Sequence, residues 1–314
     1  MNNFTTEFTP PNPLKTAVLF LVFNRLETTK RVFQAIRQAK PPRLYVAADG
    51  ARESKVGEAE KVKVVRDYII NNIDWKCEVK TLFRNKNLGC KYAVSEGINW
   101  FFENEEMGII LEDDCLPSQS FFWFCEELLV RYKDDMRVWH IGGNNFGFTK
   151  VSKEDYCFIR FPQVWGWASW RSRWTKYDKN LTNFNQDFVP NLNLSTSLSI
   201  TNKEVVELKK RFKLSSEGKI DTWDFQWHAT VMINNGLCVI PYKNLVSNLG
   251  YGPDATHTKK DTQRTYLRVN ELCFPLNSSN KFLIDFQMEE FFKTKMRIRN
   301  TNIFRKVIQK IALK

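Results

Sequence analysis

The sequence predicts an α/β fold in which a mostly parallel central sheet carries helices on both faces. Short runs of β-branched and aromatic residues, each long enough for one strand, alternate with segments whose apolar residues recur at helical spacing. The strand segments are apolar throughout, which is typical of parallel strands buried on both faces. Strands that alternate with helices in this way are joined by right-handed crossovers within one sheet.

Each element follows from its own pattern. The run TAVLFLVF at 16–23 predicts the first strand, and a charged segment with Val62, Val65, Ile69 and Ile73 on one face predicts a long helix before the third. Beyond residue 141 the sequence becomes irregular and aromatic, and residues 180–202 predict an exposed loop. The other predicted strands are 44–48, 77–83, 108–111, 138–141 and 237–241, and the other predicted helices are 27–38, 88–102, 121–132, 203–212 and 221–234.

Composition excludes several classes of protein. The chain has 314 residues and a net charge of +12, but eight of those charges lie in residues 291–314, which contain no acid. The nearly balanced body argues against broad nucleic-acid binding, which needs basic residues spread over a face. The seven cysteines are scattered without a C-x-x-C pair, so they indicate a reducing compartment and neither a disulfide framework nor a zinc ribbon.

The early apolar run does not indicate a membrane span or a cleaved signal. Ala17 to Phe23 is seven residues long, and Asn24-Arg25 follows where a signal peptide would need small residues. We therefore expect a soluble cytoplasmic protein.

Polar residues follow the predicted strands where the carboxyl ends of a parallel sheet meet. They are Asn24-Arg25, Asp49-Gly50, 84–87 and 112–114. Ligands of such sheets bind in the crevice outside these ends. Adjacent carboxylates repel one another unless a hard cation such as Mg²⁺ or Mn²⁺ takes up their charge. The pattern therefore indicates a site for phosphate and a divalent metal. An acidic pair away from a strand end, Asp134-Asp135, predicts only a solvated turn.

These motifs, in this order, resemble those of GT-A fold, nucleotide-sugar-dependent glycosyltransferases. They are Phe23-Asn24-Arg25, Asp49-Gly50, Arg84-Asn85-x-Asn87-Leu88-Gly89 and Leu111-Glu112-Asp113-Asp114, and the resemblance spans about residues 15–260. The triplet stands where that superfamily has its Asp-x-Asp metal motif, and its Glu-Asp-Asp form is similar to the N-acetylglucosaminyltransferase I family. The resemblance implies a nucleotide-sugar-binding half at 15–140 and an acceptor-binding half at 141–260. A loose arm, 1–14, precedes them and a basic extension, 261–314, follows.

The resemblance also implies roles on the donor side. Arg25 would contact the diphosphate or the base, and Asp49 would accept hydrogen bonds from uracil or ribose. Gly89 would let the backbone approach the nucleotide, and Lys91 would lie near the phosphates. Each position also has a purely structural interpretation: a surface arginine, a strand-ending Asp-Gly turn and a solvated helix lysine.

The acidic triplet is predicted to bind the metal. Asp114 is the expected ligand of Mn²⁺ or Mg²⁺, and Glu112 and Asp113 would orient the metal, the sugar hydroxyls or the ribose. A metal between the two phosphates would stabilise the departing nucleoside diphosphate. In GT-A enzymes a C-terminal histidine often reaches the metal or diphosphate, and His257 stands in the matching place.

A base for the acceptor hydroxyl is expected among Asp221 and Asp224. Their spacing places both on one face of a helix start, where Asp221 is also a natural N-cap. Asp224, flanked by Trp223 and Trp227, is the expected base because apolar neighbours raise the pKa of a carboxylate. It resembles the acidic residue before a tryptophan that is the base of inverting GT-A enzymes, although the local spacing differs from the N-acetylglucosaminyltransferase I pattern.

Two further segments have expected roles. Trp165, Gly166 and Trp167 match the loop that forms a wall of the donor-sugar and acceptor pocket, although a tryptophan cluster equally predicts core packing. The pattern of residues 303–314 predicts a basic amphipathic helix that would suit an anionic bilayer on the inner face of the membrane, or would alternatively dock on the domain.

The sequence thus predicts a metal-dependent, inverting transfer of a sugar from a nucleoside-diphosphate-sugar, expected to be a UDP-sugar, to a glycan, glycolipid or other hydroxyl acceptor. The alternatives are a sugar nucleotidyltransferase, which usually has a glycine-rich loop after its first strand, and a non-catalytic basic protein that binds membranes or nucleic acid. Phe23 to Leu26 contains no glycine, which argues against the nucleotidyltransferase.

Overall fold

The computed structural model describes residues 8–182, 202–250, 267–278 and 282–295. Its centre is an eight-stranded sheet, and a two-stranded ribbon lies beside it. The ribbon pairs β5, Cys115–Pro117, with β10, Val246–Asn248. In chain order the strands of the central sheet are β1 (Val18–Val22), β2 (Arg43–Ala48), β3 (Glu78–Phe83), β4 (Met107–Glu112), β6 (Val138–Gly142), β7 (Tyr156–Ile159), β8 (Trp167–Trp170) and β9 (Leu237–Pro241).

Helices connect most of these strands. In chain order they are α1 (Leu26–Ala39), α2 (Glu58–Asn71), α3 (Gly89–Asn104), α4 (Ser120–Arg131), α5 (Arg171–Trp174), α6 (Asn202–Ser216), α7 (Asp224–Ile233) and α8 (286–295). The first four strands and their helices lie close to the predicted segments. None of the described helices is long and apolar enough to cross a membrane.

The strand order is β3-β2-β1-β4-β8-β6-β9-β7. The first four strands in that order are parallel, and β6 and β9 are also parallel. Strand β8 runs antiparallel between β4 and β6, and β7 runs antiparallel to β9. Four of the seven pairings are therefore parallel, which confirms the predicted mostly parallel α/β sheet, an arrangement consistent with a Rossmann-like GT-A fold.

The core has two layers, one on each face of the sheet. Helices α1, α2 and α4 pack their apolar residues on one face. Helices α3, α7 and α8 cover the other face, with Trp227 and Met288 fully buried there. Helices on both faces bury the strands completely, which is why β1 is apolar at every position.

The chain outside the sheet also makes contacts. Residues 8–14, within the predicted loose arm, lie against α4, where Trp123 Nε1 donates to the Asn12 carbonyl at 2.8 Å. The sheet continues through the boundary predicted near residue 140, because β6 and β8 belong to it. His257 and residues 296–314, which include the whole of the predicted amphipathic helix at 303–314, lie outside the described residues.

Candidate active site

The acidic triplet lies at the carboxyl end of β4, beside the end of β1. The parallel register places Leu21 opposite Glu112, so the chain that leaves β1 passes next to the triplet. The Arg25 guanidinium reaches across and forms an ion pair with Asp113 and a second with Asp114 Oδ2 at 3.0 Å. Arg25 is therefore the counter-ion of the triplet in this structure.

One cation does not balance the charge of three carboxylates. The pKa of Glu112 is raised to about 8 by burial and by repulsion from Asp114 and Asp113, although Arg25 lowers it. Burial also raises the pKa of Asp113, against the lowering effect of Arg25. Asp113 Oδ2 is buried without a hydrogen-bond partner among the described residues. The site therefore has negative charge available for a further cation.

The ribbon of β5 and β10 closes the site behind Asp114. The Leu249 amide donates to the Asp114 carbonyl at 2.7 Å, and the Gly250 amide donates to Asn248 Oδ1 at the same distance. A Cβ added at Gly250 would lie 2.2 Å from Asp114 Oδ2, so no larger residue fits without displacing that carboxylate. Asn248 and Gly250 belong to no motif that the sequence places at the site, and their turn-forming composition is the only signal that marks them.

Asp49 is engaged by the loop that leads into α3. Its oxygens accept hydrogen bonds from the amides of Gly50, Leu88 and Gly89, at 2.9 to 3.1 Å, and from the Asn87 side chain at 2.9 Å. Burial raises the pKa of Asp49, although the backbone amides lower it. These contacts match the structural interpretation of Asp49, and its contact with a nucleotide stays a prediction.

Asp221 binds the first turn of α3 and does not cap its own helix. The Cys90 amide donates to Asp221 Oδ2 at 3.1 Å, and the Lys91 amide donates to Oδ1 at 2.8 Å. Helix α7 begins at Asp224, and its N-cap, Trp223, makes no side-chain cap hydrogen bond. The expected N-cap role of Asp221 at α7 is therefore wrong, because the unpaired amides of α3 attract this carboxylate instead.

The start of α3 also explains Gly89. Its φ is +80°, and an added Cβ would lie 2.9 Å from Asp221 Oδ2. In this structure the space beside Gly89 admits a carboxylate of the same chain. The predicted approach of Gly89 to a nucleotide is not tested by this contact.

Asp224 lies near the triplet, and a cysteine lies among these acids. The pKa of Cys90 is raised by burial and by the charges of Glu112, Asp224, Asp221 and Asp114. One oxygen of Asp224 accepts a hydrogen bond from Thr222 Oγ1. The charges of acids from both predicted halves therefore act on Cys90, for which no sequence motif indicated a place in the site.

The tryptophan segment contributes mainly to the core. Trp167 is fully buried, with its ring stacked on Trp223 at 5.6 Å and on His140 at 5.1 Å. The carbonyl of Gly166, a residue at φ +66°, accepts a 2.8 Å hydrogen bond from the Gly143 amide. Trp165 is half-buried, and its ring meets Phe146 edge-on at 4.7 Å. A ligand cannot reach the Trp167 ring without displacing core side chains, so Trp165 is the better placed of the two.

Lys91 is mostly buried at the start of α3. The residue is 5% exposed, and Nζ lies 5.5 Å from the centre of the Tyr92 ring. No carboxylate lies within ion-pair distance of its ammonium in the described part of the chain. Its proximity to donor phosphates stays a prediction.

The site suits a hard divalent cation bound with few protein ligands. The described ranges contain no group of three His, Cys, Asp or Glu side chains arranged to hold a metal ion. Mg²⁺ in nucleotide sites usually takes one or two carboxylates and completes its coordination with phosphate oxygens and water. Asp114, whose side chain is 14% exposed, can supply such a ligand. The unpartnered Asp113 Oδ2 supports the fit, because it marks negative charge that Arg25 does not balance.

Comparisons with known proteins give only distant likenesses. No protein-family model and no curated protein matches the chain. Among solved structures it is similar to the mannosyltransferase PcManGT from Pyrobaculum calidifontis in complex with GDP-Man and Mn²⁺, with 11% identity and a TM-score of 0.35 over 54% of this chain and 49% of that one. The alignment thus spans about half of that enzyme.

Two other solved structures illustrate the range of activities. The glycosyltransferase GlyE of Streptococcus pneumoniae TIGR4 shares 12% identity, with a TM-score of 0.29 over 64% of this chain and 44% of GlyE. A UDP-glucose pyrophosphorylase in complex with UDP-glucose shares 9% identity, with a TM-score of 0.34 over 73% of this chain and 90% of that one. At these values the likenesses identify neither a family nor an activity for this chain.

Proposed function

We propose that the protein is a glycosyltransferase that moves a sugar from a nucleoside-diphosphate-sugar, expected to be a UDP-sugar, to a hydroxyl group of a glycan or glycolipid. The observation that carries the proposal is the convergence of Arg25, the triplet 112–114 and Asp224 at the carboxyl edge of the sheet. This edge is where α/β sheets bind their ligands. The site combines a cation for phosphate with carboxylates for a metal and a proton.

On the donor side, Arg25 and Lys91 supply positive charge for the diphosphate. The Arg25 guanidinium is planar and already ordered by Asp113 and Asp114, so it loses little freedom when it binds a phosphate. Asp114 would hold Mn²⁺ or Mg²⁺, which would stabilise the charge that develops on the leaving diphosphate. Asp113 holds the Arg25 guanidinium through their ion pair, and Glu112 would orient the metal, the sugar hydroxyls or the ribose.

On the acceptor side, Asp224 is the proposed base. Its carboxylate takes the proton of the acceptor hydroxyl while that oxygen forms a bond to the anomeric carbon and the bond from this carbon to the diphosphate oxygen breaks. The electron pair of the broken bond leaves with the nucleoside diphosphate. A direct displacement of this kind inverts the anomeric configuration.

A thermal-shift screen with nucleoside diphosphates and nucleotide sugars, each with and without Mn²⁺, tests ligand binding. A ligand that binds only the folded state raises the melting temperature. At a ligand concentration of 100 times its Kd, the free energy of unfolding rises by about 2.7 kcal/mol. We expect a shift that depends on both nucleotide and metal. No shift with any nucleotide would contradict the proposal.

Product analysis then separates the two enzyme classes. Sugar transfer releases a nucleoside diphosphate from a nucleotide sugar, whereas nucleotidyl transfer from a nucleoside triphosphate to a sugar phosphate releases pyrophosphate. We expect only the first product. Asp134→Asn is the control variant for changes at the acidic triplet, because Asp134 lies in a surface turn with its side chain 90% exposed. It should leave the release of nucleoside diphosphate unchanged.

We also propose that the basic tail draws the enzyme to anionic membranes that carry its acceptor. Each Lys or Arg near an anionic surface contributes about 1 kcal/mol of attraction. Sedimentation of the full chain with phosphatidylserine vesicles, and with neutral vesicles as the control, tests this association. Binding that survives replacement of Arg305, Lys306 and Lys310 by Glu would contradict it.

A further inference from the structure

We propose that Asp221 is a positioning residue, which couples the start of α3 to the segment that carries Asp224, and that it is not the base. The inference rests on the proposed glycosyl transfer and specifies how one of its two candidate acids acts. Its first support is the pairing of the backbone at 88–91.

Two carboxylates together satisfy the amide groups at this helix start. The first amides of any helix lack partners within the helix. Asp49 accepts from Leu88 and Gly89, and Asp221 accepts from Cys90 and Lys91. Asp221 lies about 130 residues from its partners in the chain, so its two hydrogen bonds join separate parts of the fold.

The two candidate acids differ in what their oxygens already bind. Both oxygens of Asp221 accept backbone hydrogen bonds, so a proton taken up by either oxygen would compete with one of them. Asp224 accepts only from Thr222 Oγ1 among the described residues, and through Oδ1 alone. Its other oxygen is therefore available to an acceptor hydroxyl.

The coupling follows from the short distance along the chain. Asp221 precedes Asp224 by three residues, and Thr222 between them holds the Asp224 carboxylate. Fixing Asp221 to α3 therefore fixes Asp224 relative to the triplet at the end of β4. A displacement of a reacting group by 1 Å costs roughly 10²-fold in rate, so loss of the Asp221 contacts is expected to lower kcat.

Kinetics of Asp221→Asn, Asp221→Ala and Asp224→Asn separate positioning from proton transfer. Asparagine keeps one of the two acceptor oxygens, so it can hold one of the two amides, but it cannot act as the base. We expect Asp221→Ala to lose about 10- to 100-fold in kcat and Asp221→Asn to lose less, while both keep the acidic limb of the pH–rate profile. Asp224→Asn should lose that limb.

If Asp221→Asn is as inactive as Asp221→Ala and loses the acidic limb, Asp221 is the base and the proposal is wrong. Asp155→Ala is the matched control. Asp155 also accepts a backbone hydrogen bond from a distant residue, Asn277 at 2.7 Å, but it lies outside the acidic site. It should leave kcat unchanged.

Hydrogen exchange provides a test that does not need turnover. We expect Asp221→Ala to speed exchange of both the Cys90 and Lys91 amides at least 10-fold, Asp221→Asn to keep one of the two protected, and Asp155→Ala to leave both protected. Equal protection in wild type and Asp221→Ala would overturn the coupling. If wild type transfers no sugar, the proposed function fails, while the exchange data still decide whether Asp221 holds α3.

Discussion

Two acidic regions at the same edge of the sheet differ in how fully their carboxylate oxygens are paired. At the end of β4, two of three consecutive carboxylates pair with one guanidinium, and Asp113 Oδ2 has no partner among the described residues. At the start of α3, Asp49 and Asp221 bind four successive backbone amides. The first region has more negative charge than its one guanidinium balances. In the second, the saturated region, the carboxylate oxygens are all occupied by backbone hydrogen bonds.

On the proposed function, the difference separates acids that would bind ligands from acids that hold backbone amides. A buried polar atom without a partner destabilises the protein unless a ligand, ion or water completes it. A carboxylate that already accepts from several backbone amides has fewer lone pairs to offer a ligand. We therefore propose that Arg25 and the triplet form the chemical part of the site, and that Asp49 and Asp221 hold the backbone beside it.

The largest effect is expected from Asp114→Asn. The change removes the proposed metal ligand and should lower turnover about 10²- to 10³-fold, the size of effect seen when one group that stabilises developing charge is lost. Because it also removes repulsion within the triplet, the melting temperature should stay the same or rise. Nucleoside diphosphate release and thermal melts measure the two quantities. A large fall in melting temperature would place Asp114 in the structural group.

Asp49→Ala is expected to have the opposite signature. It leaves the amides of Gly50, Leu88 and Gly89 without their partner, and a buried donor that loses its partner costs about 1–3 kcal/mol. That cost applies to each amide, but water that enters beside the truncated side chain can hydrate part of the three. We therefore expect the free energy of unfolding to fall by about 2–3 kcal/mol in total. Urea denaturation measures it. Asp74→Ala, in a surface ion pair, should change stability little.

Local patterns predicted the first half of the fold because each of its elements is a distinct run. Val62, Val65 and Ile69 are buried on α2 as predicted, although the helix ends at Asn71, before Ile73. Strand β8 was not predicted, because Trp167 to Trp170 looks like an irregular aromatic segment. Its partner is far away in the chain, with Ile109 opposite Ala168, so no local pattern indicates the pairing.

The candidate site also contains residues that local sequence patterns predict and residues that only the tertiary fold brings into place. Glu112 to Asp114 could be placed because they follow an apolar strand, and strand ends define the crevice. The partner of Asp221 could not be predicted, because the spacing of Asp221 and Asp224 indicates capping of their own helix. Only the packing of α7 against the sheet beside α3 brings Asp221 to the Cys90 and Lys91 amides.

Gly89→Ala tests how tightly the saturated region is packed. An L residue at φ +80° costs about 1–2 kcal/mol, and the added Cβ would also lie 2.9 Å from Asp221 Oδ2. Gly57→Ala is the matched control, because Gly57 has φ +75° and no atom within 4 Å of its Cβ position. We expect Gly89→Ala to lose more stability than this control in urea denaturation. In an Asp221→Ala background the excess should disappear, and an excess that persists would contradict the close contact.

The smallest effect is expected from His228, a buried histidine that we expect to be neutral in the folded protein. Burial lowers the pKa of His228 to about 3, with a further lowering by Arg211, whereas an unfolded histidine titrates near 6.5. As the pH falls through 6.5 the unfolded chain gains a proton that the folded protein does not, so the free energy of unfolding decreases. Between pH 6.5 and 5.5 this histidine accounts for about 1 kcal/mol of the loss.

His228→Leu should remove that part of the pH dependence, because leucine has no proton to gain and the site is lined by Phe161 and Phe212. Urea denaturation of wild type and variant at both pH values measures the difference. An equal loss in the two proteins would mean that His228 is charged in the folded state. Since no such charge has a partner at its buried Nε2 among the described residues, we expect the interior to exclude charge at His228.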